Sequence, residues 1–358
     1  MRKTYLRPLL ISAGPDAIRL IAAGDALPLA GGSLAFAAAE VIERTPDGSI
    51  ARRILRVEAL PRAGLPAELA RLTAPRAGLG DLDLASPRLM GILNVTPDSF
   101  SDGGRHETVA AAIDHGLALI GQGAAIVDIG GESTRPGALP VPADIEEKRV
   151  LPVIAGLKGR GALLSIDSRN AQVMAAAVAA GCGLINDVQA LAHDPSSPAV
   201  ARTSGVPVVL MHALGDPRTM QDDPRYADVL LDVYDALAAR IQAAEAAGIA
   251  RERLLLDPGI GFGKRPEHNL ALLAGLGLFH GLGLPIVLGA SRKSVIAHAS
   301  RGEGPENRLG GTIAINLRAL AQGVQVLRVH DVAAAAQALA LWRALDRYSG
   351  AVRDAELV

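Results

Sequence analysis

The chain has 358 residues, with 36 Lys and Arg against 37 Asp and Glu, so its formal net charge of -1 supplies no whole-molecule field to draw nucleic acid or an anionic membrane surface. One cysteine, Cys182, excludes an internal disulfide framework and a multi-cysteine zinc site. The apolar run from Leu9 stops at Gly14-Pro15-Asp16, too short for a signal-peptide core, so the expectation is a cytoplasmic protein with neither nucleic-acid nor membrane partners, whose anionic ligands are held by a local site.

Residues 1–86 read as a small α+β appendage of unknown role: a helix over 14–24, then strands over 33–43 and 50–60 joined through Thr45-Pro46-Asp47-Gly48, a good turn sequence. Residues 63–86, rich in Pro, Gly and Arg, read as a connection with a helical turn over 67–72. From Arg88 one pattern repeats: a short apolar run, a polar loop, then an Ala-rich stretch with helical periodicity. The runs lie at 89–93, 125–129, 163–166, 183–185, 206–210, 254–256, 285–288 and 324–329. Continuous apolar runs imply strands covered on both faces, and eight such units predict an α/β fold, a closed (β/α)8 TIM barrel over 87–346. Residues 347–358 have little periodicity and read as a fraying tail.

In such a barrel chemistry gathers at the C-terminal ends of the strands, and all eight ends carry polar groups. Asp167, Asn186 and Asp257 offer oxygens to a flat ligand edged with N–H groups, Lys293 adds a donor, and Met211 and Phe262 offer apolar faces. Arg328 and His330, two positions apart on a period-two strand, point inward together as cationic donors suited to phosphate. Asn94, Asp98 and Asp102 are hard oxygen donors suited to Mg²⁺ on a diphosphate. Against this stands capping: Asp187 and Ser168 suit helix starts, and Asp331 would cap the last helix and orient His330. Cys182 and most of the histidines read as packing or surface residues, the role of His212 stays open, and the run DPGIGFGK fails both the Walker and the dinucleotide-loop spacing.

Five segments, GILNVTPDSFSDGG at 91–104, GGESTRPGA at 130–138, DPGIGFGK at 257–264, SRKS at 291–294 and RVHD at 328–331, resemble the dihydropteroate synthase family in order and position. The resemblance implies an enzyme that condenses a dihydropterin methyl diphosphate with 4-aminobenzoate by an SN1-like step. It implies a pterin pocket of Asp167, Asn186, Met211, Asp257, Phe262, Gly289 and Lys293, with Mg²⁺ at Asn94. By the same resemblance the diphosphate lies on Asn94, Arg135, Arg328 and His330. The aminobenzoate lies near Phe100, Thr134, Arg135 and Pro136, with its carboxylate at Ser294. Asn94, Asp167, Lys293, Arg328 and His330 carry the reaction in this reading, and a homodimer is expected. The rivals are a pterin-dependent methyltransferase, which needs no diphosphate site, and a silent pterin-binding protein. Two departures are the appendage and Ala213-Leu214-Gly215 after His212, where the family often has Met-Gln-Gly.

Overall fold

The apolar runs become eight parallel strands in the computed structural model, which describes residues 2–95, 105–132, 140–215 and 220–348. They are β5 (Arg88–Asn94), β6 (Ile126–Gly130), β7 (Leu163–Asp167), β8 (Leu184–Asp187), β9 (Val208–Met211), β10 (Leu254–Asp257), β11 (Val287–Leu288) and β12 (Val326–Val329). Their order is β10-β9-β8-β7-β6-β5-β12-β11, and a parallel bridge between Leu256 and Ile286 brings the two ends of the sheet together. Crossover helices cover the outside: α3 (Arg105–Gly121), α4 (Ala143–Leu157), α5 (Ala171–Ala180), α6 (Ser197–Ser204), α7 (Val229–Ala246), α8 (Pro266–Ala274), α9 (Ser294–Ala299), α10 (Leu309–Leu320) and α11 (Val332–Tyr348). The helix α11 runs two residues past the expected boundary at 346, and the tail from 349 lies outside the described residues. No described helix is long and apolar enough to cross a membrane.

Strand parity sorts the core. Leu93, Val127, Ile129, Leu164, Ile166, Leu210, Leu256 and Val329 face outward and pack with the helices in the largest apolar cluster, which also takes Cys182. Met90, Ile126, Leu184, Val209, Leu255, Val287 and Val326, one position out of phase, fill the barrel interior with Leu79 and Leu84. The segment expected to be a simple connection therefore plugs the bottom of the barrel. Its Leu79 and Leu84 are 3 % exposed, and Leu79 and Leu82 form a small antiparallel bridge that holds the plug in shape.

The appendage is a sheet of β1 (Lys3–Ala13), β2 (Leu27–Leu29), β3 (Leu34–Arg44) and β4 (Ile50–Arg56), with α1 (Gly14–Ala23) and α2 (Pro66–Thr73). The strand β1 pairs antiparallel with β3 and carries no signal that the sequence reading caught: Pro8 and a left-handed Leu10 (φ 53°) interrupt its alternation. β4 ends at Arg56, short of the expected 60, because residues 57–59 turn into a 3-10 helix. Leu6, Leu29, Phe36, Val41, Leu60 and Leu72 form the appendage's own core. Tyr5 leaves that core to pack edge-on against Tyr234 of α7, with ring centroids 5.1 Å apart, which fixes the appendage against the side of the barrel.

Candidate active site

One step above the apolar plug, the inward-facing positions turn polar: Asp128 on β6, Ser165 on β7, Asn186 on β8, Asp257 on β10 and Arg328 on β12. The guanidinium of Arg328 crosses the barrel, donating from Nε to Asp128 Oδ2 at 2.6 Å and from Nη2 to Asp167 Oδ2 at 2.6 Å. Asn186 donates to the same Asp128 oxygen at 2.9 Å. The other oxygen of each carboxylate, Oδ1 of Asp128 and of Asp167, is buried with no hydrogen-bond partner among the described residues. Gly289 stands beside them: a Cβ there would lie 3.5 Å from Asp257 Oδ2 and 3.7 Å from the Arg328 side chain.

The electrostatics follow from burial. It pushes Asp167 up to about 7, with Asp128 adding to the shift against the pull of Arg328, and it raises Asp257 against the pull of Lys293. Burial opposes the charge on Arg328, but Asp128 and Asp167 outweigh it and hold the guanidinium above its ordinary value. Lys293 is drawn down to about 8 by burial, opposed by Asp257; its ammonium donates to Ile260 O and lies 4.5 Å from the centroid of the Phe262 ring. The sequence reading placed Arg328 inward as a phosphate donor. It is inward, but Nε and Nη2 are engaged by carboxylates, because Asp128 shares its parity and its layer.

The loop after β10 is shaped by glycines and by one buried lysine. Gly259 (φ +69°) leaves no room for a side chain: a Cβ would come within 1.9 Å of the carbonyl oxygen of His212. Lys264, 3 % exposed, donates to the carbonyls of Gly259 (2.8 Å), Phe262 (3.0 Å) and His212 (3.2 Å) and meets His212 Nδ1 at 2.9 Å. Burial and the neighbouring Lys264 hold His212 neutral, down to about 3. Thus His212, whose role the sequence left open, and Lys264, which it passed over, together fix the loop that carries Phe262.

At the rim, His330 contacts Ser291 Oγ through Nδ1 (3.1 Å). Asp331 accepts two bonds from Arg292, at 2.9 and 2.5 Å. Asp187 and Ser168 act locally but cap no helix, against the capping expectation: Asp187 accepts from Gln189 and Leu191 N–H at 2.8 Å each in the turn after β8, and Ser168 Oγ from Asn170 N–H at 3.2 Å, whereas the N-caps of α5 and α6 are Asn170 and Ser196. Ser294 is exposed at the start of α9, a helix of six residues, and Asn94 ends β5 half-buried. Phe100, Thr134, Arg135 and Pro136, with Asp98 and Asp102, lie outside the described residues. Glu132 accepts from Arg169 at 3.0 and 2.9 Å and from Val141 N–H at 3.1 Å. Leu214 is 39 % exposed at the rim.

The sequence reading missed Asp128 as a member of the site. Period two would have found it, since Asp128 stands to Ile126 as Arg328 stands to Val326.

With this geometry in hand, comparison with known proteins is direct. Residues 90–330 match the model of a family described as pterin binding enzyme. The dihydropteroate synthase of Escherichia coli strain K12 is 46 % identical over 259 residues, which cover 72 % of this chain and 91 % of the relative. That of Neisseria meningitidis serogroup B is 44 % identical over 275 residues, covering 75 % and 96 %. A Xanthomonas albilineans dihydropteroate synthase solved with 4-aminobenzoic acid superposes with TM-score 0.70 and 51 % identity, covering 74 % of this chain and 94 % of that one. A structure of the enzyme from the same organism, in complex with 7,8-dihydropteroate, superposes with TM-score 0.69 and 47 % identity, covering 76 % and 98 %.

Proposed function

The chain belongs to the family of pterin-binding enzymes, and from that premise we infer that it carries out the dihydropteroate synthase reaction, joining (7,8-dihydropterin-6-yl)methyl diphosphate to 4-aminobenzoate with release of diphosphate. The observation that best carries the pterin half is the pair of buried carboxylate oxygens, Oδ1 of Asp128 and of Asp167, beside Asn186. Buried acceptors without partners are costly, and a ligand edged with N–H donors removes that cost.

On this reading Asp167, Asn186 and Asp257, joined by Asp128, accept from the pterin edge. Lys293 donates to a ring acceptor, while Met211, Phe262 and the bare face of Gly289 enclose the rings. Arg328 holds Asp128 and Asp167 through Nε and Nη2, which leaves Nη1 for the diphosphate together with His330 and Arg135. Asn94 supplies a hard, neutral oxygen whose chemistry fits Mg²⁺, an ion that takes much of its shell from water and substrate phosphate. When bound, the ion would neutralise charge on the diphosphate. The carboxylates stabilise positive charge on the pterin methylene as the diphosphate departs, so the dissociative step draws on electrostatics rather than on a covalent enzyme intermediate. Phe100, Thr134, Arg135 and Pro136 would place the aniline nitrogen, with the aminobenzoate carboxylate at Ser294. Because α9 is short, Ser294 would act there chiefly through its hydroxyl and backbone N–H rather than through a helix dipole. A homodimer in solution belongs to the same proposal, and sedimentation velocity reads it.

The test is diphosphate release by the purified chain given Mg²⁺, the dihydropterin methyl diphosphate and 4-aminobenzoate, each omitted in turn. Release that needs all three, with dihydropteroate formed, is expected; tight pterin binding without release would point to a silent binding protein. A second expectation concerns pH. Asp167 accepts pterin N–H bonds as the carboxylate, so kcat/KM for the pterin falls as pH drops through about 7. Lys293 donates as the ammonium, so the same parameter falls as pH rises through about 8. The profile should be a narrow bell with its maximum between these values, and a flat profile across both would remove these two groups from pterin binding.

A further inference from the structure

We propose that the N-terminal appendage is a positioning element for the pterin end of the site, acting through the start of α7 on the glycine-rich loop that carries Phe262. The proposal rests on the preceding reading for what that loop binds; the chain of contacts itself is independent of it.

The appendage grips α7 with charge. Arg44 on β3 donates to Asp232 Oδ1 at 2.6 Å, Arg52 on β4 to Asp228 Oδ2 at 2.8 Å, and Lys3 on β1 to Asp235 at 2.8 Å. These three acids are spaced four and three residues apart on one helix face, where like charges repel unless neutralised. The second oxygen of each of the first two acids shapes the chain entering α7. Asp232 Oδ2 accepts from the N–H groups of Ala227 (2.8 Å) and Asp228 (3.2 Å), and Asp228 Oδ1 caps the helix at Leu231 N–H (3.1 Å). One carboxylate thus binds the appendage with one oxygen and the loop with the other.

The residue before Ala227 is Tyr226, whose hydroxyl donates to Gly263 O at 2.7 Å and whose ring packs edge-on against His268. Nearby, Gln221 donates to Gly261 O at 2.5 Å and Arg265 to Asp223 at 2.7 Å. Gly261 and Gly263 flank Phe262, and both have positive φ, so these contacts to their carbonyls add to the hold of Lys264 on Gly259 and Phe262 and of Asn269 on Gly261 N–H. Arg44 and Asp232 are each only about a fifth exposed, which shields the pair from full solvent screening. The route is contiguous: β3 and β4, Asp228 and Asp232, Tyr226, Gly263, Phe262. It also assigns a role to a unit that precedes residue 90, where the family match begins.

The experiment compares the full chain with Arg44→Met/Arg52→Met, with Tyr226→Phe, and with all three changes combined. The arginine pair should raise KM for the pterin diphosphate about fivefold and leave KM for 4-aminobenzoate unchanged. Tyr226→Phe should do the same with the appendage contacts intact, and the combined variant should add little, because the changes break one route. Hydrogen exchange of the 259–264 amides in the ligand-free protein should quicken in each variant, while Arg44→Lys/Arg52→Lys restores most of both effects. A wild-type pterin KM with unchanged exchange, or fully additive changes, would overturn the proposal. If the arginine variant does not fold, Tyr226→Phe decides alone by the same two readouts. A wild-type chain that makes no product would defeat the assigned reaction instead, with the exchange data still deciding the positioning role.

Discussion

Replacing Asp167 with asparagine is expected to lower kcat/KM for the pterin substrate about a thousandfold, with KM for 4-aminobenzoate essentially unchanged. Asparagine keeps the size and one oxygen, so the change is chiefly one of charge. Oδ2 of Asp167 holds Arg328 at 2.6 Å and Oδ1 is a buried acceptor with no partner among the described residues. Charge-assisted hydrogen bonds of this kind contribute roughly 1.5–3 kcal/mol each, so losing two of them to the pterin edge, ~4 kcal/mol, is in scale with three decades of rate constant. Stability should change far less. Asp128, Glu146 and Asp187 all oppose ionisation of Asp167, so removing its charge relieves repulsion while Arg328 keeps Asp128. Titration calorimetry with a pterin and steady-state kinetics check both halves. A variant within tenfold of wild type would mean that the pterin binds elsewhere.

Lys264→Met should destabilise the protein by about 3 kcal/mol and weaken pterin binding at least tenfold. Methionine fills a similar volume but donates nothing to the carbonyls of His212, Gly259 and Phe262, and each buried acceptor left unpaired costs roughly 1–3 kcal/mol. The offsetting gain is real: burial and the nearby Lys293 hold Lys264 well below the usual lysine range, so removing the ammonium recovers part of its desolvation cost. The net remains unfavourable because three acceptors share one donor. Thermal denaturation and pterin titration would show the two losses together, since the same carbonyls set the loop that carries Phe262 and the Ile260 carbonyl held by Lys293. Unchanged melting with normal pterin affinity would make the ammonium dispensable.

The barrel was legible because its signal is local. Continuous apolar runs such as those at 254–256 and 163–166 mark strands covered on both faces, and the polar residues that end them stand out against that background. Asp167, Asn186, Asp257, Lys293 and Arg328 were found in this way, and the structure gathers them at one barrel mouth. The strand over Lys3–Ala13 was not legible, because Pro8 and the left-handed Leu10 break its period. The plug formed by Leu79 and Leu84 was hidden among turn residues, since two leucines in a Pro- and Gly-rich stretch have no period to display.

Parity along each strand, and with it which residues enter the barrel, is therefore a property of the sequence alone: a side chain alternates faces wherever the backbone is extended. Which charges meet is not. Arg328 pairs with Asp128 and Asp167, 200 and 161 residues away, rather than standing free for phosphate. Lys264 pairs with backbone carbonyls that no residue type announces, and Arg44 and Arg52 reach α7 across 188 and 176 residues. Ion pairing falls off with distance in space, not along the chain, so only the closure of the barrel and the docking of the appendage could decide these partners.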